Sequence, residues 1–534
     1  MRDFYILYEN TRIRTLNPDQ LQARAMLVFR GIIVSLFDDP FPSPSGYGDL
    51  RRIDCGNLVM LPAFTDAHVH LMDTGQNLET VDVSAACSEH EVVAILKKAF
   101  RDKPRGEWIQ GSRWVYNQWT SPNLPTKESL DQAFPDNPVY LFSKCGHLLW
   151  VNSLVLKAAG VTPDTPDPPG GAIQKDPVSG QPTGIFKEHA EPVYKVIPPL
   201  TDVRKRNLLK NAARHFNRFG IVNIHANDSP QTFSLLQDLQ NDPDFSLNVV
   251  IYLPDSLLDT LIQAGIKSGF GNDSLRLGGI KLFLDGSLGG RTAWLYEPYE
   301  KEPHNTGICA MDRANLSRTL SKAKSHGISS MTHAIGDRAV DTLLEVFAEL
   351  QGNLTPDPDL ILVDRIEHFQ MLSEKTPALL KKSRGVASVQ PIHIFGDWAA
   401  ADRYWGNRSR YAYAFQTMDQ AGWPLVFGSD SPVEPINPFW GLYAAVERKD
   451  QDSLPENGWH PEQKVTVAKG LRAYCETPSQ IVGEGGRKGT LSQGKRADFI
   501  LVDQDPLQVP SMETIRNIRV MATACKGTFV YREF

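Results

Sequence analysis

No Cys-x-x-Cys pair occurs in this sequence, and its six cysteines (Cys55, Cys87, Cys145, Cys309, Cys475, Cys525) are widely scattered. That spacing signals neither a structural zinc site nor a disulfide framework. Also missing is an uninterrupted apolar run of about 18 residues, the length a membrane-spanning helix needs. The opening residues, Met1-Arg-Asp-Phe-Tyr5, carry no apolar stretch and no small-residue cleavage pattern, so no secretory leader is expected. Positive charge is not in excess either: the net charge is −6 and no basic stretch stands out. The expectation is a reduced, cytoplasmic, soluble protein that partners neither nucleic acid nor membrane. No internal repeat and no low-complexity tail is present. At 534 residues the chain exceeds one small core and implies a large domain with an accessory one.

What is present is a change of pattern along the chain. Segments 5–8, 25–29 and 32–36 read as short strands, followed by a Pro/Ser/Gly-rich loop at 38–48. The C-terminus is similar in kind, with strand-like segments at 489–494, 497–502, 520–523 and 527–531. Two strand-rich ends around a long middle predict one small β-domain assembled from both termini.

The middle alternates strand and helix signals, which argues for βα units and a parallel sheet. Candidate strands are 59–66, 138–144, 221–226, 247–253, 279–284, 328–333, 363–368, 385–390 and 424–429. Helical patterns fall at 203–219, 313–326, 339–350 and 372–382. Segment 138–144 is set aside, because a βαβ crossover needs only about a dozen residues and far more separate 59–66 from 221–226. Residues 72–205 are therefore read as an insertion after the first barrel strand. Within it, 89–100 is helix-like, and the segments around Asp176-Pro-Val-Ser-Gly180 read as a β-hairpin.

The polar residues gather at strand ends. The first strand leads into Asp66, His68 and His70, at a spacing that puts all three on one face of a strand. Lys281 lies inside an apolar strand. Ser330-Met-Thr-His333, Arg365-Ile-Glu-His368 and Val426-Phe-Gly-Ser-Asp430 end three others. In a (β/α)8 barrel such ends converge on one mouth. Taken singly, each has a bland explanation: a hydrogen-bonded histidine, a capping Asp430, a Lys281 that snorkels to water. Together they form a nitrogen and oxygen donor set suited to Zn²⁺, with Mn²⁺, Fe²⁺ or Ni²⁺ as alternatives.

These residues resemble the amidohydrolase superfamily, and within it the amidohydrolase family 3 branch that includes N-substituted formamide deformylases. The resemblance runs nearly end to end. It rests on Leu61-Pro-Ala-Phe-Thr-Asp-Ala-His-Val-His70, Pro168-Pro-Gly-Gly-Ala-Ile, Pro182-Thr-Gly-Ile-Phe-Lys-Glu188 and Ile280-Lys-Leu-Phe-Leu-Asp-Gly-Ser-Leu-Gly289. It continues in His333-Ala-Ile-Gly-Asp-Arg338, Arg365-Ile-Glu-His368, Gly428-Ser-Asp-Ser-Pro432 and the stretch 489–498. Ala63 departs from it, where the family usually has Gly.

The resemblance implies an α/β fold, a distorted (β/α)8 TIM barrel at 59–484 with a small β-sandwich from 1–58 plus 485–534, and the 72–205 insertion. It implies two divalent metal ions, with Zn²⁺ first choice. His68 and His70 match the pair on the more buried ion, His333 and His368 match the ligands of the second, and Asp430 matches the residue that touches the first and shuttles protons. Lys281 matches the lysine that becomes a carbamate and bridges both. The implied activity is hydrolysis of a non-peptide amide C–N bond (EC 3.5 class) by a metal-activated hydroxide with Asp430 as acid and base. An N-substituted formamide or N-acyl amine is the expected small-molecule substrate, and a homodimer is the candidate assembly. Deamination or cyclic-amide hydrolysis on the same site, or a catalytically silent binding or regulatory protein, are the alternatives.

Around this set, His147 precedes a helical pattern and is a candidate substrate contact leaning over the mouth. His393, after strand seven in Gln390-Pro-Ile-His393, is another. Arg291 is read as a carboxylate anchor or as a brace against Asp285. Asp337 and Arg338 are read as a structural pair behind His333. Trp114, Tyr116 and Trp119 are read as core of the insertion.

Overall fold

The computed structural model describes residues 4–38, 49–144, 146–168, 171–352 and 363–533. All but Asp38 of the expected loop at 38–48 lies outside the described residues, as do Cys145 and the Pro169-Gly170 pair of one quoted motif. The chain divides into two compact units, residues 1–72 with 209–534, and residues 73–208.

The first unit is built on an eight-stranded sheet in simple sequential order. Its strands are β1 (Phe64–Val69), β2 (Ile221–Asn227), β3 (Asn248–Pro254), β4 (Leu275–Phe283), β5 (Ser329–Ala334), β6 (Arg365–His368), β7 (Val386–Val389) and β8 (Leu425–Phe427). Every neighbouring pair is parallel. Such strands are buried on both faces, hence their apolar, β-branched character. Helices Pro230–Leu239, Arg313–Ser325 and Asp337–Gly352 fall between successive strands. Arg313–Ser325 starts where the Asp312 carboxylate accepts the Asn315 N–H at 2.8 Å, an N-cap that satisfies one of the orphan donors of the first turn. The expected helix at 372–382 shortens to Thr376–Leu380. Ser373 N–H donates to Thr376 Oγ1 and Leu372 N–H to the Tyr411 carbonyl, so the backbone before it is committed elsewhere.

The sheet closes on itself between β8 and β1. Asp430 N–H donates to the His68 carbonyl at 2.8 Å and His70 N–H to the Ser431 carbonyl at 2.9 Å. Asp66 Oδ1 clamps the same seam, accepting from Ser429 N–H at 2.9 Å and His68 N–H at 3.2 Å. The approach is tight at Gly428, where an added Cβ would lie 2.6 Å from His68 N. Gly428→Ala should therefore force β8 away from β1 and cost about 1–3 kcal/mol. A thermal-unfolding midpoint equal to that of the parent protein would show that the seam can relax.

The expected strand at 59–66 is two strands. Val59–Pro62 pairs with Phe499–Val502 and Arg12–Asn17 in a separate six-stranded sheet, while Phe64–Val69 enters the barrel. The break falls at Ala63, whose N–H donates to the Asp498 carbonyl at 3.0 Å. That six-stranded sheet draws on both termini, and a four-stranded sheet of Tyr5–Glu9, Ala25–Phe29, Ile32–Phe37 and Leu50–Asp54 accompanies it. Tyr8, Met26, Met60, Phe499 and Leu501 share one buried core between them. This is the small β-sandwich. The segment 489–494 is not one of its strands; it runs as turns, with Leu491 N–H on the Thr15 carbonyl.

The second unit holds its own six-stranded mixed sheet. Trp114, Trp119 and Trp150 are buried together there, so the aromatic run is core. Strands Ala172–Lys175 and Pro182–Lys187 pair antiparallel around the expected hairpin turn. No helix among the described residues is long and apolar enough to cross a membrane.

Candidate metal centre at the barrel mouth

The strand ends gather five imidazoles, a lysine and a carboxylate in one region. His68 lies near the end of β1 and His70 directly follows it, and their ring centroids are 5.8 Å apart. The His368 ring lies 5.1 Å from that of His68 and 4.4 Å from that of His333. His393, in a single turn after β7, lies 6.1 Å from His368 by ring centroid. Asp430 Oδ1 stands 3.4 Å from His68 Nε2 and 3.3 Å from His70 Nε2, and its Oδ2 is 3.8 Å from His393 Nε2.

The tightest trio is His68, His368 and Asp430, whose donor atoms all lie within 4.8 Å of one another. It draws one histidine from each of the two pairs that the sequence suggested. All three residues are buried. Asp430 Oδ1 and His368 Nδ1 have no hydrogen-bond partner among the described residues, although leaving such buried atoms unsatisfied is costly. Two of the three also sit in the left-handed backbone region, His368 at φ 68° and Asp430 at φ 59°. Non-glycine residues occupy that region only where the surroundings compel it, commonly at functional sites. Orphaned, preorganised nitrogen and oxygen donors of this kind suit a divalent metal ion.

Electrostatics point the same way. Burial lowers the pKa of His68, lowers that of His368 well below the ordinary value and brings that of His333, beside Lys281, to about 3, which favours their neutral forms. Burial alone would raise the Asp430 carboxyl, but the facing imidazoles of His68, His70 and His368 hold it well below the usual carboxylate range. Lys281 sits on β4 at 2% exposure. Burial pushes its ammonium down to about 8 against the pull of Glu367 and Asp430. Its Nζ has no hydrogen-bond partner among the described residues and rests 4.3 Å from the Phe283 ring centroid.

Other expected residues sit differently. His333 Nε2 engages the Gly286 carbonyl at 2.9 Å and lies 3.5 Å from Asp285 Oδ1. The Arg291 guanidinium pairs with Glu302, not with Asp285, and lies 5.7 Å from the Tyr404 ring centroid. Asp285 is instead held by the N–H groups of Trp294, Ile335 and Gly336 at 2.9, 3.0 and 2.7 Å, which fixes the segment after β4 to the end of β5. Asp337 accepts from Tyr296 N–H, while the Arg338 guanidinium stacks 4.6 Å from the Trp294 ring; their side chains do not form the expected pair. His147 belongs to the second unit, where its Nδ1 lies 2.7 Å from Glu188 Oε2. It precedes the strand Leu148–Val151, not a helix, because that apolar segment pairs with Val139–Ser143 and Pro182–Lys187. The helix waits for the Asn152 cap.

Sequence reasoning missed the polar layer beneath the mouth. Glu367 is fully buried and faces His68 Nδ1 through Oε2. Arg365 Nε donates to Glu367 Oε1 at 2.6 Å. Its other nitrogens reach His225 Nδ1 at 2.8 Å, the Ala67 carbonyl at 2.6 Å and Ser388 Oγ at 2.6 Å. The available signal was Arg365-x-Glu367: two charges at strand spacing, both forced to the interior face of a barrel strand.

Known proteins resemble the chain along nearly its whole length. A solved structure, an uncharacterized metal-dependent hydrolase from Pyrococcus horikoshii OT3, is 30% identical with a TM-score of 0.77, covering 95% of this chain and 98% of its own. The N-substituted formamide deformylase of Arthrobacter pascens is 24% identical over 99% of this chain and 98% of its own. The Arabidopsis thaliana protein LONG AFTER FAR-RED 3 is 29% identical over 98% of this chain and 91% of its own. The model of the amidohydrolase family matches residues 51–531. With that match spanning every strand of the barrel and the C-terminal strands of the sandwich, this chain belongs to the amidohydrolase family, on a metal-dependent hydrolase fold.

Proposed function

We propose that this protein is a binuclear metal hydrolase that cleaves the C–N bond of a small amide, an N-substituted formamide or N-acyl amine. The observation that carries the reading is the buried trio of His68, His368 and Asp430 within 4.8 Å, beside a Lys281 Nζ without a partner among the described residues. The alignment of the Arthrobacter deformylase along nearly the whole chain supports the substrate class.

His68, His70 and Asp430 would hold one ion, His333 and His368 the other, with Lys281 between them and Zn²⁺ the preferred metal. Bound divalent ions supply Lewis acidity to the substrate carbonyl and acidify a water. Asp430, held ionised beside His68 and His70, takes a proton from the attacking water and returns it to the leaving nitrogen. Lys281 fits a carbamate. Its neutral amine attacks CO₂, the N–C bond forms as one C=O π pair moves to oxygen, and a proton leaves. The product presents two oxygens where an ammonium would repel two dications. His393, with Nε2 facing Asp430, would contact the substrate.

The test is reconstitution of metal-stripped protein with Zn²⁺, with and without bicarbonate, followed by assays on formamides, N-acyl amines, cyclic amides and amino-heterocycles. Bicarbonate should raise metal content to about two ions per chain. Because the neutral amine grows as pH rises through about 8, that reconstitution should quicken with pH. Lys281→Ala should hold about one ion, with or without bicarbonate. Free amine with formate or another acid supports the proposal; ammonia or a ring-opened acid replaces it with the alternative chemistry. Protein that binds no metal and hydrolyses nothing would be a silent scaffold.

A further inference from the structure

We infer that Glu367 is the positioning residue that fixes the tautomer of His68 and thereby its capacity to bind metal; this rests on the reading of His68 as a metal-binding residue. Glu367 occupies the interior face of β6, two residues on from Arg365. Its two oxygens are fully committed. Oε1 accepts from Arg365 Nε at 2.6 Å, and Oε2 accepts from Ser388 Oγ at 2.8 Å and faces His68 Nδ1. The Arg365 guanidinium has no freedom to withdraw, because its other nitrogens are engaged on β1, β2 and β7 at Ala67, His225 and Ser388.

The consequence for His68 follows from donor counting. A carboxylate beside a guanidinium only accepts. The imidazole nitrogen facing it must therefore carry the proton, as Nδ1–H. The neutral ring then has its lone pair on Nε2. That is the nitrogen on the Asp430 side, 3.4 Å from Oδ1. Partners of this kind orient metal-binding histidines and raise their basicity. The same logic holds for His225, whose Nδ1 must accept from Arg365, so in this layer Arg365 donates on both sides and Glu367 only accepts. Gln cannot replace Glu367 in it. Arg365 Nε, Ser388 Oγ and His68 Nδ1 present three donors to two acceptor oxygens, and an amide offers only one oxygen while turning its NH₂ toward a donor.

Glu367→Gln should therefore bind the first ion about 10- to 100-fold more weakly than the parent protein in a chelator competition. Activity should return at saturating metal. Glu367→Gln that remains folded by circular dichroism and binds the first ion with the parent's affinity would overturn the inference. Should the variant not fold, ¹⁵N-histidine spectra of metal-free parent protein decide. The signal absent from His68→Asn should report a proton on Nδ1 and none on Nε2, and the opposite tautomer overturns the inference. A parent protein that binds no metal would instead remove the reading of the site on which the inference stands, while the tautomer would still report the Glu367 contact.

Discussion

Asp430→Asn is expected to lower kcat by about 10²–10⁴-fold, the range that general acid–base catalysis contributes, while most of the bound metal is retained. Asn keeps the size of the side chain and one acceptor oxygen. It also tolerates the left-handed backbone at φ 59°, which few other residues do. The variant should fold with the seam between β8 and β1 intact, because the Asp430 N–H that bonds to the His68 carbonyl is untouched. What it loses is a carboxylate held ionised among His68, His70 and His368, the group that can take a proton and give it back. Kinetics on the best amide found, with metal content measured on the same sample, check this. Turnover close to that of the parent protein would eliminate Asp430 as the proton carrier.

The largest effect on stability is expected at Arg365. Its side chain is 0% exposed, joined to Glu367, His225, Ser388 and the Ala67 carbonyl, and lies 5.4 Å from the Tyr252 ring centroid. Burial alone would raise the Glu367 carboxyl, but Arg365 and His68 hold it down at about 2. Arg365→Met leaves that carboxylate buried without its counter-ion, a change that costs about 3–5 kcal/mol. Adding Glu367→Gln to Arg365→Met should restore part of the loss, because the two residues act as one unit. Urea-unfolding midpoints of the single and double variants measure both effects. Equal midpoints for Arg365→Met and the parent protein would show that the pair does not hold the barrel interior together.

The two substitutions probe different layers of the same strand ends, and those layers differed in how openly the sequence declared them. His68, His70, His333, His368 and Asp430 stood out because each is a polar residue ending an apolar run, a contrast that one-dimensional patterning displays. Glu367 and Arg365 stood in one of the same motifs, yet charge in a strand reads equally well as a solvated face. Only closure of the sheet puts their side of β6 inside. Arg291 shows the converse. Its sequence neighbours suggested Asp285, but the chain turns so that Glu302 is its partner, and Asp285 is taken by three backbone N–H groups.

By itself, the sequence determined the alternation of strands and helices and the gathering of polar residues at the ends of apolar strands. These follow from local periodicity and from the contrast between polar and apolar positions, which need no partner to be visible. Tertiary structure alone decided three things. It split 59–66 at Ala63 between the sandwich and the barrel, because Val59–Pro62 pairs with a strand some 440 residues away, at Phe499–Val502. It selected His68, His368 and Asp430 as the closest donors, across both expected pairs. It also set the Arg365–Glu367 layer under His68. Each depends on which strand lies beside which and on the side chains turned into the barrel, and long-range pairing and burial govern both.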